Sequence, residues 1–222
     1  MGNEASKTKA LWGDFEHGII SGDGIDIGCG ADPITDKARR FDIEDGDANE
    51  ITKFVHEQFD FVFSCHSLEH MHDPARALKE WWQLVKPGGH LIVVIPDEDL
   101  YEQGYFPSLF NADHKATFTL SKERSWSSHS CNVMELLKTL DGGSVLKVEL
   151  QDKGYDRKLL HHAGYSRSTA LRLTRLVKRV SRITCIVGLT RRVLSRLFRV
   201  PIDQTAGEAM AQIEFIVRKN GV

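Results

Sequence analysis

Within seven positions the chain carries His66, Glu69, His70 and His72, side chains able to ligate a metal or carry a proton near neutral pH. If a helix begins near Ser67, then His66, Glu69 and His70 stand at i, i+3 and i+4 and share one face. If the segment is a loop entering a helix, Glu69 and His70 cap it locally, and His72 is expected to do no more than that. The spacing is not the His-Glu-x-x-His of metalloproteases. A second motif, Asp26-Ile-Gly-Cys-Gly30, puts two glycines where a strand turns sharply and a ligand must approach the backbone closely. Pro33 stands where the third glycine of a dinucleotide fingerprint belongs, which argues against NAD.

Strands must deliver these residues to one place. Gly24–Ile27 reads as a short buried strand ending in the glycine turn, Ala38–Asp42 as a second ending in an acid, and Phe59–Ser64 as a third. Asp73 and Pro74 predict the start of a helix reaching about Val85, with Ala77, Leu78, Trp81, Leu84 and Val85 at helical spacing. Lys86-Pro-Gly-Gly89 stops it, and His90–Ile95 is a strand buried on both faces. Strands alternating with helices predict an α/β fold with a doubly wound, mostly parallel sheet. Residues 97–130, rich in aromatics, His and Ser, read as a lid or substrate wall. Cys131–Leu140 predicts a helix and Ser144–Leu150 a strand. The alternation of Ala211–Arg218 predicts a final strand running antiparallel.

The 222 residues suit one domain with a proper core. The polar start, Met1–Leu11, lacks the apolar core of a secretory signal. Cys29, Cys65, Cys131 and Cys185 stand far apart with no Cys-x-x-Cys pair, so a reduced, cytoplasmic protein is expected. The net charge of −2 conceals an asymmetry, because residues 1–166 carry −11 and residues 167–199 carry +10 with no acid at all. The basic stretch, within an insertion at about 166–200, predicts helix with a break at Gly188. Leu173, Leu176, Val177, Val180 and Val187 fall on one face, and Arg172, Arg175, Arg179 and Arg182 on another. Either its apolar face packs on the acidic body, or the segment meets an anionic membrane surface at the inner face of the membrane. Nucleic acid fits less well, since Phe198 is the one aromatic there.

The chain resembles the class I S-adenosylmethionine-dependent methyltransferases. The resemblance rests on DIGCG (Asp26–Gly30), GDA (Gly46–Ala48), FDFVFSCHSLEHMHDP (Phe59–Pro74) and LVKPGGHLIVVIP (Leu84–Pro96). It implies that Asp26, Gly28, Cys29 and Gly30 face the methionine part of the cofactor and that Asp42 takes the ribose hydroxyls. Asp47 and Ala48 would flank the adenine, with Ser64, Cys65 and His66 near the sulfonium. Asp42 follows Gly30 by 12 positions and Asp47 follows Asp42 by five, where the family has roughly twenty in each gap. The first crossover must therefore be minimal and the second helix absent, and Glu44 or Asp45 could replace Asp42.

Asn111–Phe118, with its Asp-His-Lys, is similar to a segment of the metal-dependent methyltransferases of small-RNA 3′ ends. That likeness implies a divalent transition metal on Glu69, His70 and His114, and on His66, which stands where the family has a further Glu. Without a metal, His66 and His114 are the candidate bases. The acceptor expected is a hydroxyl on a carbohydrate or small metabolite, with Tyr101, Tyr105, Phe106 and Trp126 to pack on a ring. The alternatives are an RNA methyltransferase or a non-catalytic cofactor-binding subunit.

Overall fold

The apolar runs become the middle of a six-stranded sheet. In a computed structural model describing residues 3–161, 164–182 and 187–221, β1 (Gly24–Ile27), β2 (Arg39–Phe41), β3 (Phe59–Cys65) and β4 (Val85–Pro96) pair in parallel. A separate two-stranded ribbon joins β5 (Thr117–Thr119) to β6 (Ser130–Asn132). With β7 (Gly143–Gln151) and β8 (Gln212–Lys219), the main sheet has the order β2-β1-β3-β4-β8-β7, and β8 runs antiparallel to both its neighbours. The order turns back between β1, whose successor lies on one side, and β3 on the other. Ligands of open α/β sheets bind at the carboxyl ends of such a strand pair.

The helices are α1 (Glu4–Lys9), α2 (Asp14–Ile19), α3 (Pro74–Gln83), α4 (Val133–Leu137), α5 (Arg167–Ser181) and α6 (Val187–Phe198). α3 begins as its sequence predicts: Asp73 accepts the Arg76 amide at 3.1 Å, and Pro74 takes the first turn, where its missing N–H costs nothing. Its Ala77, Leu78 and Trp81 are buried against Val62, Leu91 and Val93 of the sheet. The period of two sends Phe61 and Phe63 to the opposite face, where Trp12 meets Phe63 edge-on at 5.9 Å. β1 must open on glycine, because a Cβ at Gly24 would lie 1.9 Å from the Phe61 ring.

The shortened amino-terminal half is plain. No helix lies between β1 and β2, and one irregular 3-10 stretch, Ala48–Lys53, is the only helical turn between β2 and β3. Several expectations are corrected. Cys131 and Asn132 belong to β6, and the helix after them is the short α4, capped by the Asn132 side chain. The strand expected from His90 begins at Val85. Segment 97–130 is held together by a buried carboxylate, Glu98, which accepts from Thr117 (3.1 Å), Ser125 (2.8 Å) and Ser130 (2.6 Å). Gly188 lies inside α6, and the predicted apolar face is split: Val177 is buried, whereas Leu176, Val180 and Val187 are exposed. The three described cysteines are free, and Cys185 lies outside the described residues.

Candidate active site

The crevice at the ends of β1 and β3 is floored by Asp26. Its Oδ2 accepts the Ile34 amide at 2.7 Å, while the buried Oδ1 has no partner. Burial, reinforced by Asp32 and Asp42, pushes its carboxyl up to about 7 against the Ile34 amide and Arg40. Gly28 and Gly30 both take left-handed backbone (φ 73° and 53°). A Cβ at Gly28 would strike the Ser67 hydroxyl at 2.0 Å, whereas one at Gly30 would meet nothing within 4 Å. The open approach is therefore over Gly30. Asp42 folds back on this turn, accepting from the Gly30 amide at 2.7 Å and from Ile43 at 2.8 Å. Arg40 caps the turn from outside through the Gly30 carbonyl and the Cys29 sulfur, the latter at 3.3 Å. Burial outweighs Arg40 and raises the Cys29 thiol.

Ser64 is pinned by its hydroxyl to the Ile27 carbonyl at 3.0 Å, and burial raises the Cys65 thiol well above its ordinary value. Asp47 caps the turn at Ala48, accepting from Asn49 at 2.9 Å, and the Ala48 carbonyl receives the Trp81 indole at 2.9 Å. Asn49 in turn accepts the His72 backbone amide at 2.9 Å.

After β3 the chain does not enter an α-helix. His66 takes a left-handed φ of 54°, and Leu68–His70 is a single 3-10 turn, so the shared helical face does not form. The turn nevertheless brings the cluster together. Both oxygens of the fully buried Glu69 lack a hydrogen-bond partner. The loop carrying His114 is latched to the same residue, since the Lys115 and Ala116 amides donate to the Glu69 carbonyl at 2.8 and 3.2 Å. His114 Nδ1 donates to Glu102 at 2.6 Å and His70 Nδ1 to Asp113 at 2.9 Å, which leaves both Nε2 atoms for another partner. Ligand atoms of Glu69, His70 and His114 all lie within 4.8 Å of one another.

His66 stands beside this trio. Its Nε2 donates to Gln212 at 3.0 Å and its Nδ1 lies 3.4 Å from Glu69. Burial lowers the imidazole's pKa, but Glu69 more than offsets this and the net shift is upward; for Glu69, burial is likewise outweighed by His66 and the net shift is downward. Tyr101 stacks on His114 with centroids 5.3 Å apart. The other aromatics lie elsewhere: Tyr105 is buried with Leu109 and Ala170, Phe106 stacks on His129 at 4.6 Å, and Trp126 donates to Asp99 at 3.2 Å. A cavity of about 470 Å³ lined by Gly22, Asp60 and Gly88 lies at the strands' amino ends, away from all these groups.

Residues 24–93 match the profile of a family described as the methyltransferase domain. The match runs from the first residue of β1 into β4 and takes in Asp26, Gly28, Gly30, Asp42 and the Ser64–His70 turn. Among solved structures, a proposed methyltransferase from Bacillus halodurans C-125 is 13% identical, with a TM-score of 0.51 over 99% of this chain and 100% of its own. A proposed sarcosine dimethylglycine methyltransferase from Galdieria sulphuraria is 16% identical, with a TM-score of 0.50 over 98% of this chain and 85% of its own. At these identities the two likenesses speak to the fold. No curated protein matches the chain. The family match lies across the crevice: residues 24–93, which supply β1 to β3 and the Ser64–His70 turn, are similar to a methyltransferase domain, and the sheet arranged around them has the fold of the Bacillus halodurans protein.

Proposed function

We propose that the chain methylates a hydroxyl oxygen of a carbohydrate or related small metabolite, assisted by a divalent transition ion held on Glu69, His70 and His114. The observation that carries this reading is the state of Glu69: a buried carboxylate whose nearest partner is His66 Nδ1 at 3.4 Å, faced by two further imidazoles whose Nδ1 atoms are already tied to carboxylates. That second tie is the usual support of a metal-ligating histidine, fixing the tautomer so that Nε2 presents its lone pair. Two imidazoles and one carboxylate suit Mn, Fe, Co or Zn.

The residues present also fit the cofactor. The orphaned Oδ1 of Asp26 is a desolvated acceptor suited to an ammonium group, and the space over Gly30 admits a ligand. Asp42 keeps lone pairs on both oxygens for ribose hydroxyls. S-adenosylmethionine supplies a methyl group already activated on a sulfonium. Transfer to a hydroxyl breaks the C–S bond, forms a C–O bond and releases the hydroxyl proton. The chain must hold the acceptor oxygen in line and take up that proton. Tyr101, flat against His114, offers a ring face for a sugar; with the ion on His114, His66 is the imidazole beside the trio left to take the proton, and His114 would be a base only without the metal.

The test combines elemental analysis with transfer assays on sugar diols for the parent and the His70→Ala/His114→Ala variant. About one equivalent of transition metal in the parent and none in the variant is expected, with transfer lowered by roughly 10²- to 10⁴-fold. S-adenosylhomocysteine binding should be retained. Undiminished transfer by the double variant overturns the reading. The same trio also supports methylation of an RNA 3′ ribose; turnover of a short RNA but of no sugar would select that reading.

A further inference from the structure

The α5–α6 pair spends little of its apolar surface on the body. Ala170, Val177, Ser181 and Ser195 are buried, with Leu159 and Ile202 packed around Val177. A larger set faces solvent: Leu176 (54% exposed), Leu189 (57%), Val193 (53%) and Leu197 (70%). Leu189, Val193 and Leu197 recur at i, i+4 and i+8, a single row along α6, and Arg192 and Arg196 run beside it at the same spacing. On α5, Arg172, Arg175 and Arg179 make a row next to exposed Leu176 and Val180. Of the ten cations in residues 167–199, among the described residues only Arg196 pairs with a carboxylate, Asp156 at 3.0 Å.

We propose that α5 and α6 dock this protein on a bilayer surface rich in anionic lipid, with the leucine row entering the acyl boundary and the arginines meeting phosphates. Rows of cations alternating with exposed aliphatics are what an interfacial helix requires. Charge disfavours a two-fold contact with the α5–α6 pair of a second copy, which would bring the same arginines and no acid, and charge alone gives the exposed leucine row no apolar partner on the acidic body of another copy. A nucleic acid would satisfy the arginines but leave the leucines unburied, and Phe198 is the only aromatic in the two helices for base stacking. No helix among the described residues is long and apolar enough to cross a membrane, so the pair lies on the surface.

The full chain is sedimented with vesicles of phosphatidylcholine alone and of phosphatidylcholine with phosphatidylglycerol. Two variants are compared, Leu189→Asp/Leu197→Asp and Arg175→Ser/Arg179→Ser/Arg182→Ser, all at exposed positions. S-adenosylhomocysteine binding reports that each remains folded. The parent is expected to pellet with the anionic vesicles and not the neutral ones. The arginine variant should bind on the order of 100-fold more weakly, and the leucine variant should also lose binding. Three results overturn the proposal. One is indifference to anionic vesicles. A second is vesicle binding that survives the leucine changes and is competed away by single-stranded RNA. The third is a dimer in sedimentation equilibrium that the leucine changes dissociate.

Discussion

Asp26 holds one oxygen on the Ile34 amide and the other on nothing, and burial places its carboxyl near 7. A cationic amino group arriving there would pay part of its desolvation with a full charge pair only when Asp26 is ionised. Binding of S-adenosylhomocysteine is therefore expected to tighten as pH rises from 6 to 8, as read by calorimetry. Asp26→Asn should bind at least about 10-fold more weakly at pH 8 and lose that slope. This residue was legible because an acid before Gly-x-Gly has a positional meaning. Glu102, Asp113 and Gln212, which orient His114, His70 and His66, were not. Asp113 at least adjoins His114 in sequence, whereas Glu102 and Gln212 reach their partners only through the fold.

Segment 97–130 owes its shape to Glu98, whose fully buried carboxylate gathers three hydroxyls and receives Lys122 Nζ at 3.4 Å. Ser125 and Ser130 looked like loop composition, but with Thr117 they donate to one buried carboxylate. Removing that anion strands the hydroxyls and the lysine, so Glu98→Ala should cost about 3 kcal/mol or more, measured by denaturant melting, with faster proteolysis between residues 97 and 130. α1 shows the same dependence on distant partners. Gln212, which holds His66, also donates to Thr8 at 2.8 Å, and Ser6 donates to Asp32 just beyond the glycine turn at 2.9 Å. The helix that opens the chain thus closes one wall of the crevice.

At the scale of the whole molecule, two carboxyls among the described residues are raised by burial, Asp26 to about 7 and Asp97 to about 6. Each binds its proton more tightly folded than unfolded, so the stability each contributes is complete below the unfolded value near 4 and is lost as pH climbs through 6 to 7. Thermal melting of Asp26→Asn/Asp97→Asn should therefore decline less steeply from pH 4 to 7 than that of the parent. Asp60 and Asp113, lowered chiefly by hydrogen bonds from the Asp23 amide and from Lys115 respectively, push the opposite way in both proteins and drop out of the comparison.

Local chemistry written along the chain was enough for the middle of the main-sheet strands, the glycine turn, the start of α3 and the ionic asymmetry, because each depends on near neighbours or on a period of two. Contacts between residues far apart were beyond its reach. The Glu69 carbonyl catching two amides of the His114 loop, and the 3-10 turn that replaces a helix after β3, come from which strand ends meet. The face of α5 and α6 left to solvent followed the same rule. Periodicity marks where apolar residues line up, but what covers them depends on the shape of the body beside them, and here that body reaches Val177 and stops short of Leu176.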